Sequence, residues 1–139
     1  MPTIAETRAA LAAEFRELPE LFDRYAYLAA LAPLLAPYPP EKETDDRLVA
    51  GCQSKVWLDC ISEDGLFRFG ARSDTLIING VLYLLTQLLN GRPCAEVAAW
   101  DDPALLDTFG LAGAFSDERQ RGVGAVVKTL RAKAAALAG

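Results

Sequence analysis

The chain has 139 residues, 52% of them apolar and 24% charged, with 14 Lys and Arg against 19 Asp and Glu and no histidine. That is the size and balance of one globular domain, 1–139, with a real core, and a net charge of −5 with no basic run offers no footprint for a nucleic-acid backbone. The missing histidines exclude Ser-His-Asp and Cys-His catalysis, imidazole-based zinc sites and a histidine pH switch.

The opening stretch 1–15 lacks a basic n-region, an unbroken apolar run and a small-residue cleavage site, so the start reads as that of a mature cytoplasmic protein. Thr3-x-x-Glu6 has the capping-box spacing, and Ile4, Leu11, Phe15 and Leu18 follow on one stripe before Pro19, which predicts a short amphipathic helix. Leu21, Phe22, Tyr25, Leu28, Leu31, Ala32 and Leu35 predict a second helix, stopped by Pro37, Pro39 and Pro40. The proline run and the acidic stretch 41–46 read as a solvated linker.

From Arg47 the period changes to alternation. Leu48-Val49-Ala50 predicts a short strand. In the next, Val56, Leu58 and Cys60 share one face while Lys55, Trp57 and Asp59 share the other. After the turn Glu63-Asp64-Gly65, Phe67, Phe69 and Ala71 alternate with Arg68, Gly70 and Arg72, a hairpin partner. Ser73-Asp74 then stands as the N-cap of a long apolar helix over 75–90, with Gly91 at its C-terminal cap. Asn79, Gly80, Thr86 and Gln87 interrupt that run, which is too short to span a bilayer, and no membrane contact is expected.

Pro93 and Pro103 open short helices reaching Trp100 and about Phe109. The last helix is capped by Ser116, carries Asp117 and Glu118 in its first turn, and is expected to bury Val123, Val126, Val127, Leu130, Ala134 and Leu137. The sum is an α+β layout, a small antiparallel sheet of about three strands flanked by N- and C-terminal helices. Charge is uneven: residues 1–46 hold four basic and nine acidic side chains, and residues 47–139 hold ten of each. On the last helix Arg119, Arg121, Lys128, Arg131 and Lys133 make a positive face, which complements the helix dipole or docks a partner.

The three cysteines form no CxxC and in a reducing compartment are free thiols. Cys60 shares the apolar face of its strand and reads as an inert core thiol. Cys94 follows Pro93 near a helix start, where backbone N–H groups can lower a thiol pKa, and is the rival reactive cysteine. Cys52 lies in Gly51-Cys52-Gln53-Ser54, turn residues between two apolar runs, which predicts an exposed tip held by strands. Without histidine, a lone thiolate attacks sulfur and exchanges it, given a positive neighbour such as Lys55 or Arg119. Two other readings stand beside this one. Cys52, Cys60 and Cys94 could hold a metal or iron–sulfur cluster, against which their spacing argues, or the chain could be an adaptor without chemistry.

The run Gly51-Cys52-Gln53-Ser54-Lys55-Val56-Trp57 resembles the G-C-Q-S-x-V-W signature of the SufE family of sulfur acceptors, which includes the CsdE proteins. Arg24-Tyr25-x-Tyr27-Leu28, Ser73-Asp74-x-x-Ile77-x-x-Gly80 and Ser116-x-x-Arg119-x-x-Gly122 match further along, in order and at family-like spacing. Asp117 and Arg121 depart from the family pattern, which has proline and asparagine there. The resemblance implies a SufE/IscU-like fold in which Cys52 takes sulfur from the persulfide of a PLP-dependent cysteine desulfurase (SufS/CsdA-like). It also implies that the protein stimulates that enzyme and delivers the sulfur to an iron–sulfur scaffold complex (SufBCD-like). The chain has no glycine-rich phosphate loop or PLP framework, so no cofactor or metal of its own is expected and it is not a stand-alone enzyme. Gly51, Gln53, Ser54, Asp74 and Arg119 are the candidates for shaping the Cys52 loop or meeting the partner. Plain capping is the alternative for Asp74, a solvated charge for Arg119, and packing is the preferred role of Trp57.

Overall fold

In the computed structural model, which describes residues 2–139, the Thr3-x-x-Glu6 spacing closes as a capping box, with Thr3 Oγ1 accepting from the Glu6 amide and Glu6 Oε1 accepting from the Thr3 amide, both at 3.0 Å. Helix α1 (Ile4–Arg16) runs from this cap and α2 (Leu21–Leu31) follows Pro19, ending in a 3₁₀ turn, Ala32–Leu34. Helix α1 is clamped to the far half of the chain by buried polar contacts. Arg8 pairs with the buried Asp102, and Arg92, itself buried, donates to Thr7 Oγ1 at 2.8 Å and to the Leu88 carbonyl at 3.2 Å.

Strands β1 (Val56–Glu63) and β2 (Leu66–Ser73) form an antiparallel hairpin in the register Val56↔Ser73 to Glu63↔Leu66. Asp64 (φ 53°) and Gly65 (φ 80°) make its two-residue turn, the backbone that Asp-Gly favours. The expected third strand shrinks to one bridge, Leu48↔Trp57, so the sheet has two strands. The reason lies on either side of it: a 3₁₀ turn, Asp45–Arg47, carries the chain off the sheet before Leu48, and the Cys52 loop begins straight after Val49.

The central helix α3 (Leu76–Leu89) is buried along most of its length. It crosses α2 so closely that a Cβ at Gly80 would stand 2.4 Å from the Leu28 carbonyl oxygen, an approach only glycine permits. Short helices α4 (Cys94–Ala99) and α5 (Leu105–Thr108) lead to α6 (Asp117–Ala138), capped by Ser116 Oγ accepting from the Arg119 amide at 3.2 Å. One continuous apolar cluster joins Val56, Leu58, Phe67, Phe69 and Ala71 of the hairpin to Val81, Leu82 and Leu85 of α3 and Val123, Val126 and Leu130 of α6. Leu137, expected in the core, is 37% exposed on the last turn, beyond the reach of the sheet.

The 41–46 stretch is no free linker. Tyr38 Oη donates to Asp59 Oδ1 at 2.8 Å, Lys42 Nζ lies 3.2 Å from Asp59 Oδ2, and Arg72 donates to Glu43 Oε1 at 2.8 Å. The segment 38–48 thus straps the outer face of the hairpin. Under it Trp57 of the outer face is buried, like its inner-face neighbours Val56 and Leu58. Among the described residues no helix is long and apolar enough to cross a membrane.

Candidate functional site

The strap feeds directly into the loop 50–55. Its neck is closed by the Val49 amide donating to the Val56 carbonyl at 2.8 Å. Gly51 then turns through φ 87°, a left-handed conformation, and a Cβ there would meet Ala125 of α6 at 3.4 Å. This turn drives Cys52 inward. Its Sγ donates to the Gly122 carbonyl at 3.3 Å, and Cys52 packs on Gly122, 3.8 Å from where a Cβ would stand, an ordinary contact distance.

Cys52 is therefore half-buried against α6, where its turn-residue neighbours predicted an exposed tip. Local sequence foretold the bend; the lid over it comes from a helix 70 residues further on. Beside Sγ lies a cavity of about 20 Å³ lined by Val56, Ile78, Val81, Leu82, Val123 and Val126, with Gln53, Ser54, Glu118 and Arg119 at its rim. Burial pushes the Cys52 thiol pKa up. The atom facing the sulfur is a carbonyl oxygen, which accepts from a thiol and repels a thiolate, so at rest the group keeps its proton.

The downstream end of the loop is fastened to the turn before α3. The Lys55 amide donates to Asp74 Oδ1 at 3.1 Å, the Asp74 amide donates to the Lys55 carbonyl at 3.2 Å, and Ser73 Oγ donates to the same carbonyl at 2.8 Å. Thr75 Oγ1 donates to Ser54 Oγ at 2.7 Å. For Asp74 both shaping the loop and capping the helix are open from the sequence; Thr75 occupies the N-cap position, without a side-chain cap bond, and the Asp74 carboxylate accepts from a loop amide. Both uses satisfy a backbone N–H, and the sequence alone does not say which.

Gln53, Ser54 and Arg119 thus line the cavity beside the Cys52 thiol, Gly51 turns the chain into it, and Asp74 holds the far end of the loop at Lys55. Among the described residues the Arg119 guanidinium has no hydrogen-bond or ion-pair partner, which leaves a positive charge free at the cavity rim. Gly122, Thr75 and the apolar wall from α3 and α6 escaped the sequence reading as site residues. Glycine inside the opening turns of a capped helix, where it costs about 1 kcal/mol against alanine, was the available signal for Gly122.

The other two thiols sit elsewhere. Cys60 is half-buried on β1, its pKa pushed up to about 12 chiefly by burial, and Cys94 is buried at the first turn of α4. Neither lines the Cys52 cavity. Among the described residues no group of three or more His, Cys, Asp or Glu side chains is placed to hold a metal, so the three cysteines do not form a ligand set.

Comparison with known proteins bears on the family and the fold. A family model described as SufE, Fe-S metabolism associated domain, matches residues 9–134. An uncharacterized SufE-like protein of Rhizobium etli is 31% identical over 125 residues, covering 87% of this chain and 84% of that protein. The sulfur acceptor protein CsdE of Escherichia coli is 31% identical over 117 residues, 84% of this chain and 80% of its own. The solution structure of a hypothetical protein from Thermus thermophilus has the same fold, with a TM-score of 0.77 at 23% identity, covering 94% of this chain and 95% of the other.

Proposed function

The chain belongs to the SufE family, and on that premise we propose that it is a sulfur acceptor: Cys52 takes the outer sulfur of a persulfide on a cysteine desulfurase and passes it on for iron–sulfur cluster assembly. The observation that carries the reading is a single thiol on a short tethered loop, beside an apolar cavity with room for about one more atom.

The chemistry is thiol exchange. Cys52, as thiolate, attacks the terminal sulfur of the donor persulfide. A new S–S bond forms to Cys52 Sγ, the donor's S–S bond breaks, and the desulfurase cysteine leaves as thiolate. The reaction is balanced without oxidant or reductant. Removing the persulfide frees the donor cysteine for its next turnover, which is how an acceptor with no catalytic groups of its own stimulates the enzyme.

Two states of the loop divide the work. Tucked in, the thiol is protonated and unreactive, held by the Gly122 carbonyl and by burial. Swung out, it regains an ordinary thiol pKa near ~8.5, and attack is helped by a cation such as Arg119 at the rim. Returned with its extra sulfur, Cys52 places that atom in the apolar cavity, out of reach of water and other thiols. Delivery then repeats the exchange on an iron–sulfur scaffold complex.

The test is intact mass after incubation with a cysteine desulfurase and free cysteine. A gain of about 32 Da, one sulfur atom, is expected on Cys52. The same adduct mapped to Cys60 or Cys94 overturns the assignment, and no adduct on any cysteine overturns the function.

A further inference from the structure

The loop that carries Cys52 has two legs, and they are held differently. The downstream leg is pinned at Lys55 by Ser73 and Asp74. The upstream leg, 48–49, has one backbone hydrogen bond to Val56 and one bridge to Trp57, and everything before it is strap.

That strap is stiff. Pro39 and Pro40 fix two of its backbone φ angles, and Pro37 stands just before it. Five of its backbone donors are spent locally: Lys42 to Pro39, Glu43 to Pro40, Thr44 to Lys42, Arg47 to Thr44 and Leu48 to Asp45. These turns restrict the strap between its two ends, so slack released at one end is passed on toward the other. The far end is fastened at Asp59, which takes the Tyr38 hydroxyl on one oxygen and the Lys42 ammonium on the other. The Tyr38 ring packs over Gly70, 3.5 Å from where a Cβ would stand, an ordinary contact distance. Tyr38 is 8% exposed despite its polar tip, and burial together with the Asp59 carboxylate raises its pKa, which keeps the hydroxyl a donor.

We propose that Asp59, on the outer face of the hairpin and away from the Cys52 cavity, is a positioning residue for the acceptor loop: by fastening the strap through Tyr38 and Lys42 it holds the upstream leg of the loop in register and sets how often Cys52 swings out. This deepens the acceptor reading and rests on it for its significance. Unfastened at Asp59, the mobile span grows from 50–55 to 38–55, limited in between by the Glu43–Arg72 pair, and the longer span lets the thiol travel further from α6.

The experiment needs no desulfurase, so its failure is distinct from failure of the acceptor reading. The alkylation rate of Cys52 by iodoacetamide is followed by peptide mass, together with amide hydrogen exchange along the whole chain. Asp59→Ala is expected to raise the Cys52 rate about five- to thirtyfold, the ratio that losing hydrogen bonds to a carboxylate supports, and to speed exchange of the Val49 amide. Tyr38→Phe, which keeps the ring on Gly70 and folds if Asp59→Ala does not, is expected to give a smaller rise in the same two readouts. Asp59→Asn keeps an oxygen for the Tyr38 hydroxyl and is expected to restore most of the protection. Faster exchange over 39–47 with the Val49 amide and the Cys52 rate unchanged overturns the proposal, because the strap is then fastened but does not govern the loop. Equal acceleration of the α3 amides also overturns it, since Asp59 is then a general stabilising residue.

Discussion

The two faces of the hairpin are built from opposite materials. The inner face presents Val56, Leu58, Phe67, Phe69 and Ala71, all buried against the apolar sides of α3 and α6. The outer face is covered by a strap held through the Asp59 carboxylate and the Arg72–Glu43 pair, with the same Arg72 guanidinium 5.7 Å from the Trp57 ring centroid within the hairpin. Apolar burial is non-directional and shared among many neighbours, so it yields only when the domain does. A few polar contacts yield one at a time. Cys52 sits at the seam: its wall belongs to the rigid face, and the upstream leg of its loop belongs to the adjustable one.

The largest effect isolates the sulfur from both faces. Cys52→Ser removes one polarisable atom from a loop and leaves the hairpin intact, so circular dichroism and desulfurase binding are expected to stay as they are while the mass gain of sulfur acceptance disappears. Cys60→Ser and Cys94→Ser are expected to keep it, because neither thiol reaches the cavity. Loss of acceptance in Cys94→Ser with the fold intact would undo the division of labour among the three.

On the rigid face, Leu82 is fully buried and lines the Cys52 cavity. Leu82→Ala is expected to cost about 2–5 kcal/mol in urea unfolding, the transfer term plus a cavity that the packed neighbours cannot close. A loss below about 1 kcal/mol would mean that this wall is looser than its burial indicates. At the seam, Gly51→Ala is expected to cost about 1–2 kcal/mol through its left-handed backbone, with φ 87°. Part of that cost is expected as faster Cys52 alkylation, since only the tucked loop needs that angle. On the adjustable face, Arg72→Ala loses a part-exposed ion pair and a cation–π contact and is expected to cost about 1 kcal/mol or less, with the wild-type value recovered in Arg72→Lys only in part.

The same contrast explains what could be read from the sequence. The capping box at Thr3, the Asp64-Gly65 turn and the order of helices and hairpin are local or periodic signals, and each stands where it was expected. The Cys52 bend was equally local. The strap was not: its partners Asp59 and Arg72 lie on a hairpin that the acidic stretch does not announce, and a polar run with prolines looks the same whether solvated or fastened. For the same reason the third strand was over-read at Leu48, and the burial of Cys52 was missed, since its lid is a glycine carbonyl in α6. What escaped is the pairing of polar groups far apart in sequence, which carries no period.

The smallest expected effect tests whether the tucked thiol is indeed the protonated one. Burial raises the Cys52 pKa in the tucked state above its unfolded value, so the tucked state holds its proton where the unfolded chain has lost it. The contribution is fully present below the ordinary thiol pKa of about 8.5 and is lost as pH rises through the raised one. Cys60, pushed up to about 12, adds a loss of the same sign, but it does so equally in wild type and in Cys52→Ser. Urea unfolding of the two proteins at pH 7 and again near pH 10 therefore isolates Cys52 by difference. Wild type is expected to lose slightly more stability than Cys52→Ser over that interval, and its Cys52 alkylation rate is expected to climb beyond pH 8.5 where a free thiol levels off. Identical losses, with alkylation levelling at the ordinary thiol pKa, would mean that the loop spends most of its time open, and the cavity would then lose its part in protecting the transferred sulfur.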